Sequence, residues 1–301
     1  MPTRLAEEAG DLAAMRAQID AALAVACGSP LVAVGDPVGP AIRYSVLGEG
    51  KRLRPILTIA AYHASGGRAD PTALAASLEI VHAYSLVHDD LPCMDDDDMR
   101  RGRPTTHRAF GEAVATVAGV AMVPFAVRCA WEAATALGLP VATRGAIVRE
   151  LMRASGAGGM VGGQLRDLGG EGAVGSLEEL ERVHRGKTGA LIVAAVRVGA
   201  LAAGAMTPAV QALSEYAAAV GLAFQIADDV LDATSTAGAL GKTAGIDAAR
   251  GKRTYVDYLG VTGAMTRAGA LREEACRALR RAGLLTPMLE RLARYAVERA
   301  S

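Results

Sequence analysis

The chain has 301 residues, 32 basic and 32 acidic side chains that sum to zero formal charge, and only 4% aromatic residues. Balanced charge excludes a nucleic-acid binder held by a general electrostatic field. The scarcity of β-branched runs with two-residue alternation leaves little to build a sheet from, so the expected fold is all-α, as one domain over 1–301 with a sizeable core.

Helical periodicity punctuated by Gly and Pro gives about ten helices. The first runs from about residue 4 to 27 and is broken by Gly28-Ser29-Pro30, and a second begins near Pro37. Gly48-Glu49-Gly50-Lys51-Arg52-Leu53-Arg54-Pro55 reads as a basic loop, with Pro55 suited to a first helical turn. A long helix from about residue 71 carries His82, Tyr84 and Ser85 into Asp89 and stops around Pro92. Further helices are expected at about 112–137, 141–154, 177–203 and 208–232. Between them, Ser155-Gly156-Ala157-Gly158-Gly159 and Gly162-Gly163-Gln164 form a Gly-rich stretch. No strand precedes it and its spacing is not a dinucleotide fingerprint, so it reads as tight helix packing or a kink.

Cys27, Cys93, Cys129 and Cys276 lack metal-type spacing and imply no disulfide framework, which fits reduced thiols in a cytoplasmic protein. The first eleven residues hold Glu7, Glu8 and Asp11 and no apolar segment of signal-peptide type. The apolar stretch 191–206 is broken by Arg197 and followed by Pro208, too short for a bilayer, so no membrane span is expected.

Two acidic clusters carry the chemistry. Asp89 to Asp98 holds six aspartates in ten residues, followed by Arg100-Arg101-Gly102-Arg103, and Asp228-Asp229-Val230-Leu231-Asp232 lies far downstream. Such dense carboxylates repel one another and lose hydration on folding unless cations offset them, and hard oxygen ligands select Mg2+, which keeps waters and takes phosphate. The electronegative C-terminal end of a helix makes aspartates there costly without a metal. Asp228 and Asp232, at i and i+4, share a helical face with Gln225. Lys51, Arg54, Arg100, Arg101, Lys187, Lys242 and Lys252 then suggest a diphosphate clamp. Gly186-Lys187-Thr188 and Gly241-Lys242-Thr243 mimic the end of a phosphate loop, but Glu181 and Thr236 stand where its first glycine belongs, which argues against a Walker ATPase. His82 aligns with Asp89 across two helical turns, whereas His63, His88, His107 and His184 show no such arrangement.

Gly50-Lys51-Arg52-Leu53-Arg54-Pro55, the run from His82 to Thr106, and Phe224-Gln225-Ile226-Ala227-Asp228-Asp229-Val230-Leu231-Asp232 resemble the trans-isoprenyl diphosphate synthases, closest to the bacterial farnesyl diphosphate synthase branch. The resemblance spans about 41–299. It implies an isoprenoid-synthase helical bundle around a deep central cavity, a homodimer, and three Mg2+ ions, with Mn2+ as a substitute. Asp89, Asp95 and Asp228 would ligate the metals, with Asp90 and Asp232 assisting. Lys51, Arg54, His82 and Arg101 match contacts to isopentenyl diphosphate. Arg100, Lys187, Lys242 and Lys252 match contacts to the allylic diphosphate, dimethylallyl or geranyl, while Thr188 and Gln225 match groups near the developing cation. A bulky residue at Tyr84, five before Asp89 and roughly 7 Å along the helix, floors the product pocket in this family. Small Ser85 would not compensate for its loss.

The implied activity is condensation of isopentenyl and allylic diphosphates to farnesyl diphosphate, with geranylgeranyl diphosphate as the alternative product. A class I terpene cyclase would carry an Asn/Ser/Glu triad in place of Asp228 to Asp232, a head-to-head synthase would not need the basic loop, and a silent partner subunit or cation buffer would show eroded aspartates. The chain departs from the family pattern at Glu49, Val120 and Ile246 and in a thin basic tail after Arg299.

Overall fold

The computed structural model describes residues 2–29, 37–169, 175–234 and 253–298, with side chains from residue 11 onward. The described residues are helical apart from connections and one ribbon of two-residue strands. Their elements in chain order are α1 (Pro2–Cys27), α2 (Val38–Val46), α3 (Leu53–Ala64), α4 (Thr72–Asp89), β1 (Met99–Arg100), β2 (Arg103–Pro104), α5 (Thr106–Phe110), α6 (Glu112–Ala136), α7 (Val141–Ser155) and α8 (Met160–Asp167). There follow α9 (Leu177–His184), a π-helical turn (Arg185–Gly189), α10 (Ala190–Ala202), α11 (Thr207–Thr234), α12 (Tyr255–Ala282) and α13 (Pro287–Glu298).

The helices gather into two compact units, one of residues 1–59 and 68–148, the other of 60–67 and 149–301, with the boundaries inside α3 and α7. In the first unit α4 packs on α1, α2 and α6. Leu74, Leu78 and Ile80 of α4, Ile19 and Leu23 of α1, and Met122 of α6 are wholly buried, each contributing roughly 1.5–3 kcal/mol by its removal from water. The Asp70 carboxylate starts α4 by accepting the Thr72 N–H at 2.9 Å.

α6 is mostly apolar, with the exposed pair Arg128–Glu132 in its last third, and among the described residues it alone is long and apolar enough to cross a bilayer, with a mean hydropathy of 1.8 over its most apolar stretch. α6 buries Ala115, Ala118, Met122, Phe125 and Ala126, but leaves Val117, Val120, Pro124 and Trp131 in a solvent-facing stripe.

In the second unit, Leu222, Ile226 and Val230 of α11 meet Tyr255, Ala264, Ala268 and Leu271 of α12, with Leu180 of α9 and Val297 of α13 closing the core. α12 opens on a capping box in which Asp257 accepts from the Thr254 N–H at 2.7 Å and its hydroxyl at 3.0 Å. Gly260, at φ 65°, interrupts its helical path. The single helix expected over 177–203 is instead α9, the π-helical turn and α10, because the backbone of Gly186 and Lys187 bulges to meet α8.

Candidate active site

The first acidic motif is shaped by its backbone. α4 stops as Leu91 N–H bonds the His88 carbonyl at 3.2 Å. The chain then folds back so that the Asp95 N–H donates to the Asp89 carbonyl at 2.9 Å, with Met94 and Asp96 both donating to the Leu91 carbonyl. Asp96 takes a left-handed conformation, φ 49°, which a short polar side chain tolerates. The four residues between Asp90 and Asp95 therefore form a closed turn that returns Asp95 to the helix end. Asp89 and Asp95 are half-buried.

Asp90 has a different partner. Its carboxylate is buried, 2% exposed, and accepts Arg100 Nε at 2.8 Å and Nη2 at 2.5 Å, while Asp97 lies 3.6 Å from Nη2. Asp90 and Arg100, expected as a metal-assisting and a diphosphate-binding residue respectively, pair with each other here, since a buried carboxylate at a helix end needs a cation close by. Burial works to lower the Arg100 pKa, but the hydrogen bond and charge of Asp90, then Asp89 and Asp97, carry it above its ordinary value. The ribbon delivers Arg100 there. Met99 pairs with Pro104 and Arg100 with Arg103 across the two-residue turn Arg101-Gly102, whose φ values of 53° and 75° are those of the hairpin turn that suits the strand twist.

The cations of the basic loop divide by role. Arg52, which the sequence analysis did not single out, is buried and donates to Asp20 at 2.7 Å, Glu79 at 2.9 Å and the Gly48 carbonyl at 2.6 Å. It pins the loop to α1 and α4. Lys51 stays exposed, and Arg54 is half-buried in the first turn of α3. Arg101 donates to the Glu49 carbonyl, which ties the ribbon turn to the loop. His82 lies among these charges. Burial first, then Arg54, Arg101, Arg100 and Arg52, hold its imidazole well below its ordinary pKa, so it is neutral. Its buried Nδ1 has no partner among the described residues. The sequence-predicted set His82, Arg54 and Arg101 is thus one electropositive site, with an orphan ring nitrogen available to an anion.

The second unit holds the other half of the expected residues. Gln225, Asp228 and Asp232 are all half-buried on α11 and continue the face that begins at Gly221. A Cβ on Gly221 would stand 3.4 Å from the Gly189 Cα, so this face starts where α11 crosses the π-helical turn carrying Lys187 and Thr188. Lys187 Nζ donates to Asp167 of α8 at 2.7 Å, and Thr188 is half-buried. The Gly-rich stretch proves to be a packing device. A Cβ on Gly163 would fall 2.1 Å from the Lys187 nitrogen and 2.5 Å from the Gly186 carbonyl carbon. On α8, three residues before Asp167, Gln164 buries both amide atoms without a partner among the described residues.

Asp229, unassigned from sequence, is structural. Its carboxylate accepts the first N–H of α12, from Tyr255, at 2.8 Å and lies 3.8 Å from His184 Nε2, and the His184 ring stacks on Tyr255 at 5.6 Å. Burial lowers the His184 pKa to about 4, with Asp167 opposing and Lys187 reinforcing, so this contact is not an ion pair at neutral pH. No spacing rule marks such a contact, because its members are far apart in sequence. Lys242, Lys252 and the Ile246 departure lie outside the described residues, as does Arg299.

The donor set suits Mg2+. Asp89, Asp95, Asp228 and Asp232 offer oxygen alone at half-buried positions. Among the described residues no three carboxylates, imidazoles or thiols converge on one point. An ion held at either motif would need water and phosphate to complete its shell, as Mg2+ does.

Helical architecture, paired aspartate motifs and a cationic anion site are the features of a protein that handles diphosphates. The polyprenyl synthetase family model matches residues 37–277, which run through both units, and the chain belongs to that family, with the all-α isoprenoid synthase fold. It is 45% identical over 279 residues to the farnesyl diphosphate synthase of Escherichia coli K12, covering 90% of this chain and 92% of the relative. An apo FPP/GFPP synthase structure from Zymomonas mobilis superposes with a TM-score of 0.80 at 32% identity, covering 96% of this chain and all of that one. The Helicobacter pylori geranyltransferase complexed with magnesium and isoprenyl diphosphate gives 0.78 at 28%, covering 96% of each chain.

Proposed function

We propose that this chain is a farnesyl diphosphate synthase, a transferase that condenses isopentenyl diphosphate with dimethylallyl and then geranyl diphosphate. The observation that carries the reading is neutral His82 in a field of four arginines, two turns before Asp89 on α4. It is an anion site beside a carboxylate site on one helix, in a chain whose E. coli relative is a farnesyl diphosphate synthase.

Lys51, Arg54, His82 and Arg101 hold the diphosphate of the isopentenyl substrate, His82 donating from Nδ1. Lys187, with Lys242 and Lys252, holds the allylic diphosphate, for which Lys187 exchanges Asp167. Arg100 supports it from the Asp90 clamp. Asp89, Asp95 and Asp228, with Asp90 and Asp232 assisting, would hold three Mg2+ ions, replaceable by Mn2+, which would supply charge neutralisation for the leaving group. The allylic C–O bond breaks and its electron pair leaves on the diphosphate. Thr188 and Gln225 place their oxygens near the carbocation that remains. The isopentenyl double bond attacks that cation, and the proton lost passes to the released diphosphate, so no catalytic dyad is required. Apolar walls exclude the water that would trap the cation. Tyr84 floors the pocket at fifteen carbons, with small Ser85 beside it. Burial first, then the Asp89 charge, raises the Tyr84 pKa, so its phenol stays neutral.

The whole chain works as one polyprenyl synthetase domain in the cytoplasm, as a homodimer joined through the α6 stripe of Val117, Val120, Pro124 and Trp131. Purified protein given labelled isopentenyl diphosphate and geranyl diphosphate should yield fifteen-carbon alcohol after dephosphorylation and chromatography. Absence of any elongated product refutes the activity, and mainly twenty-carbon or longer product refutes the assigned length. Light scattering should report a dimer that Val117→Asp weakens, and a monomeric wild type refutes that part.

A further inference from the structure

Tyr84 does not stand alone on α4. One turn further on, His88 meets it edge to face, with ring centroids 5.1 Å apart and planes at 74°. The His88 ring is fixed in turn by α6. Its Nε2 lies 3.1 Å from the Thr116 carbonyl oxygen, which can only accept, so Nε2 carries the hydrogen and donates it. The ring also occupies the space of an absent side chain. A Cβ on Gly119 would stand 2.1 Å from His88 Nε2 and 2.4 Å from Cδ2. Glycine at 119 thus lets the imidazole lie against the α6 backbone, where the carbonyl one turn earlier holds it.

We propose that His88 is a specificity-positioning residue: braced by Thr116 and seated on Gly119, it holds Tyr84 in the one rotamer that stops the growing prenyl chain. This rests on the reading that Tyr84 floors the pocket. A tyrosine side chain has three staggered χ1 wells, and a floor works only while one of them is filled. In a T-shaped pair each ring limits the other, and its loss releases the tyrosine into the remaining wells for part of the time. Longer chains pass during those intervals. His88 therefore acts on product length through Tyr84, without touching substrate.

The test is the product-length distribution at matched conversion for wild type, Tyr84→Ala, His88→Ala, the double variant of these two, and Gly119→Ala. His88→Ala should raise the share of products beyond fifteen carbons roughly three- to tenfold, the population change expected for the loss of one aromatic pair. Gly119→Ala should do the same by ejecting the ring. Adding His88→Ala to Gly119→Ala should restore thermal stability by removing the clash, yet leave the products long. The double variant Tyr84→Ala/His88→Ala should match Tyr84→Ala alone, since both act through one side chain. A lengthened spectrum in Tyr84→Ala but a wild-type spectrum in His88→Ala and Gly119→Ala overturns this inference and leaves the floor standing. Additive lengthening in the double variant overturns it as well. An unchanged spectrum in Tyr84→Ala removes the floor, and the brace with it.

Discussion

Gly163→Ala should disable the chemical step while sparing isopentenyl diphosphate binding. The new Cβ would lie 2.1 Å from the Lys187 nitrogen, 2.5 Å from the Gly186 carbonyl carbon and 2.7 Å from the Lys187 Cα. All three are backbone atoms, so no side chain can swing aside. Ordinary contact needs about 3.5 Å, so α8 and the π-helical turn must part by roughly 1.4 Å. Overpacking of this kind costs roughly 1–3 kcal/mol of stability. The larger effect falls on Lys187 and Thr188, which ride on the displaced turn, because a misplacement of about 1 Å can cost roughly a hundredfold in rate. The residues assigned to isopentenyl diphosphate, Lys51, Arg54, His82 and Arg101, belong to the other compact unit and keep their arrangement. Steady-state assays with geranyl diphosphate should thus show kcat reduced about a hundredfold and KM for isopentenyl diphosphate near wild type. Gly158→Ala is the control, since a Cβ there meets nothing within 4 Å. A folded Gly163→Ala protein with wild-type kcat refutes the reasoning that this contact positions Lys187.

Asp89→Ala and Asp228→Ala should each lower turnover by roughly two to three orders of magnitude, as should excess EDTA; near-normal turnover in any of the three counts against metal use at that motif. Arg54→Ala should chiefly raise KM for isopentenyl diphosphate and Lys187→Ala chiefly lower kcat, because leaving-group charge grows in the transition state while the other diphosphate need only be held; matching defects reject the assignment. Stability should fall with acid through His184. Its folded pKa, about 4, lies below the ordinary 6.5 of an unfolded chain, so the unfolded state takes the proton first. The contribution is complete above pH 6.5, falls by about 2 kcal/mol at pH 5, and is lost as pH passes through 4, with His82 acting in the same direction. Urea midpoints at pH 7 and pH 5 should converge in His184→Gln relative to wild type, and an unaltered pH slope in the variant would exclude the assignment.

The helices were legible because alanine and leucine recur at helical spacing between Gly and Pro stops. The ends of α4, α6 and α7 lie within a few residues of where those stops put them. Asp89, Asp228 and Gln225 stood out because dense carboxylates on shared faces have few structural uses. What stayed hidden depends on contacts between distant segments. Arg52 drew no assignment because its pairing with Asp20 and Glu79, which makes it a pin for the loop, joins segments far apart in sequence. Asp229 went unassigned because its partner, the first N–H of α12, lies 26 residues further along the chain. The π-helical turn was missed because its cause is the absence of a side chain at Gly163, some twenty residues away, and periodicity within 177–203 carries no trace of it. The ribbon of Met99 to Pro104 fell below any strand signal, since two residues a side cannot show alternation.

The turn that returns Asp95 to Asp89 also presents Cys93 at its exposed tip, the one solvent-exposed thiol among four. Backbone hydrogen bonds at its base fix this turn, so its outer residues can carry cargo without moving the carboxylates. A small environment-sensitive dye on Cys93 would sit within the first motif, with Cys27 and Cys276 buried against labelling and Cys129 half-buried. The chain thereby brings its own spectroscopic reporter beside that motif, and a change in its signal on adding Mg2+ or a diphosphate would register binding separately from turnover.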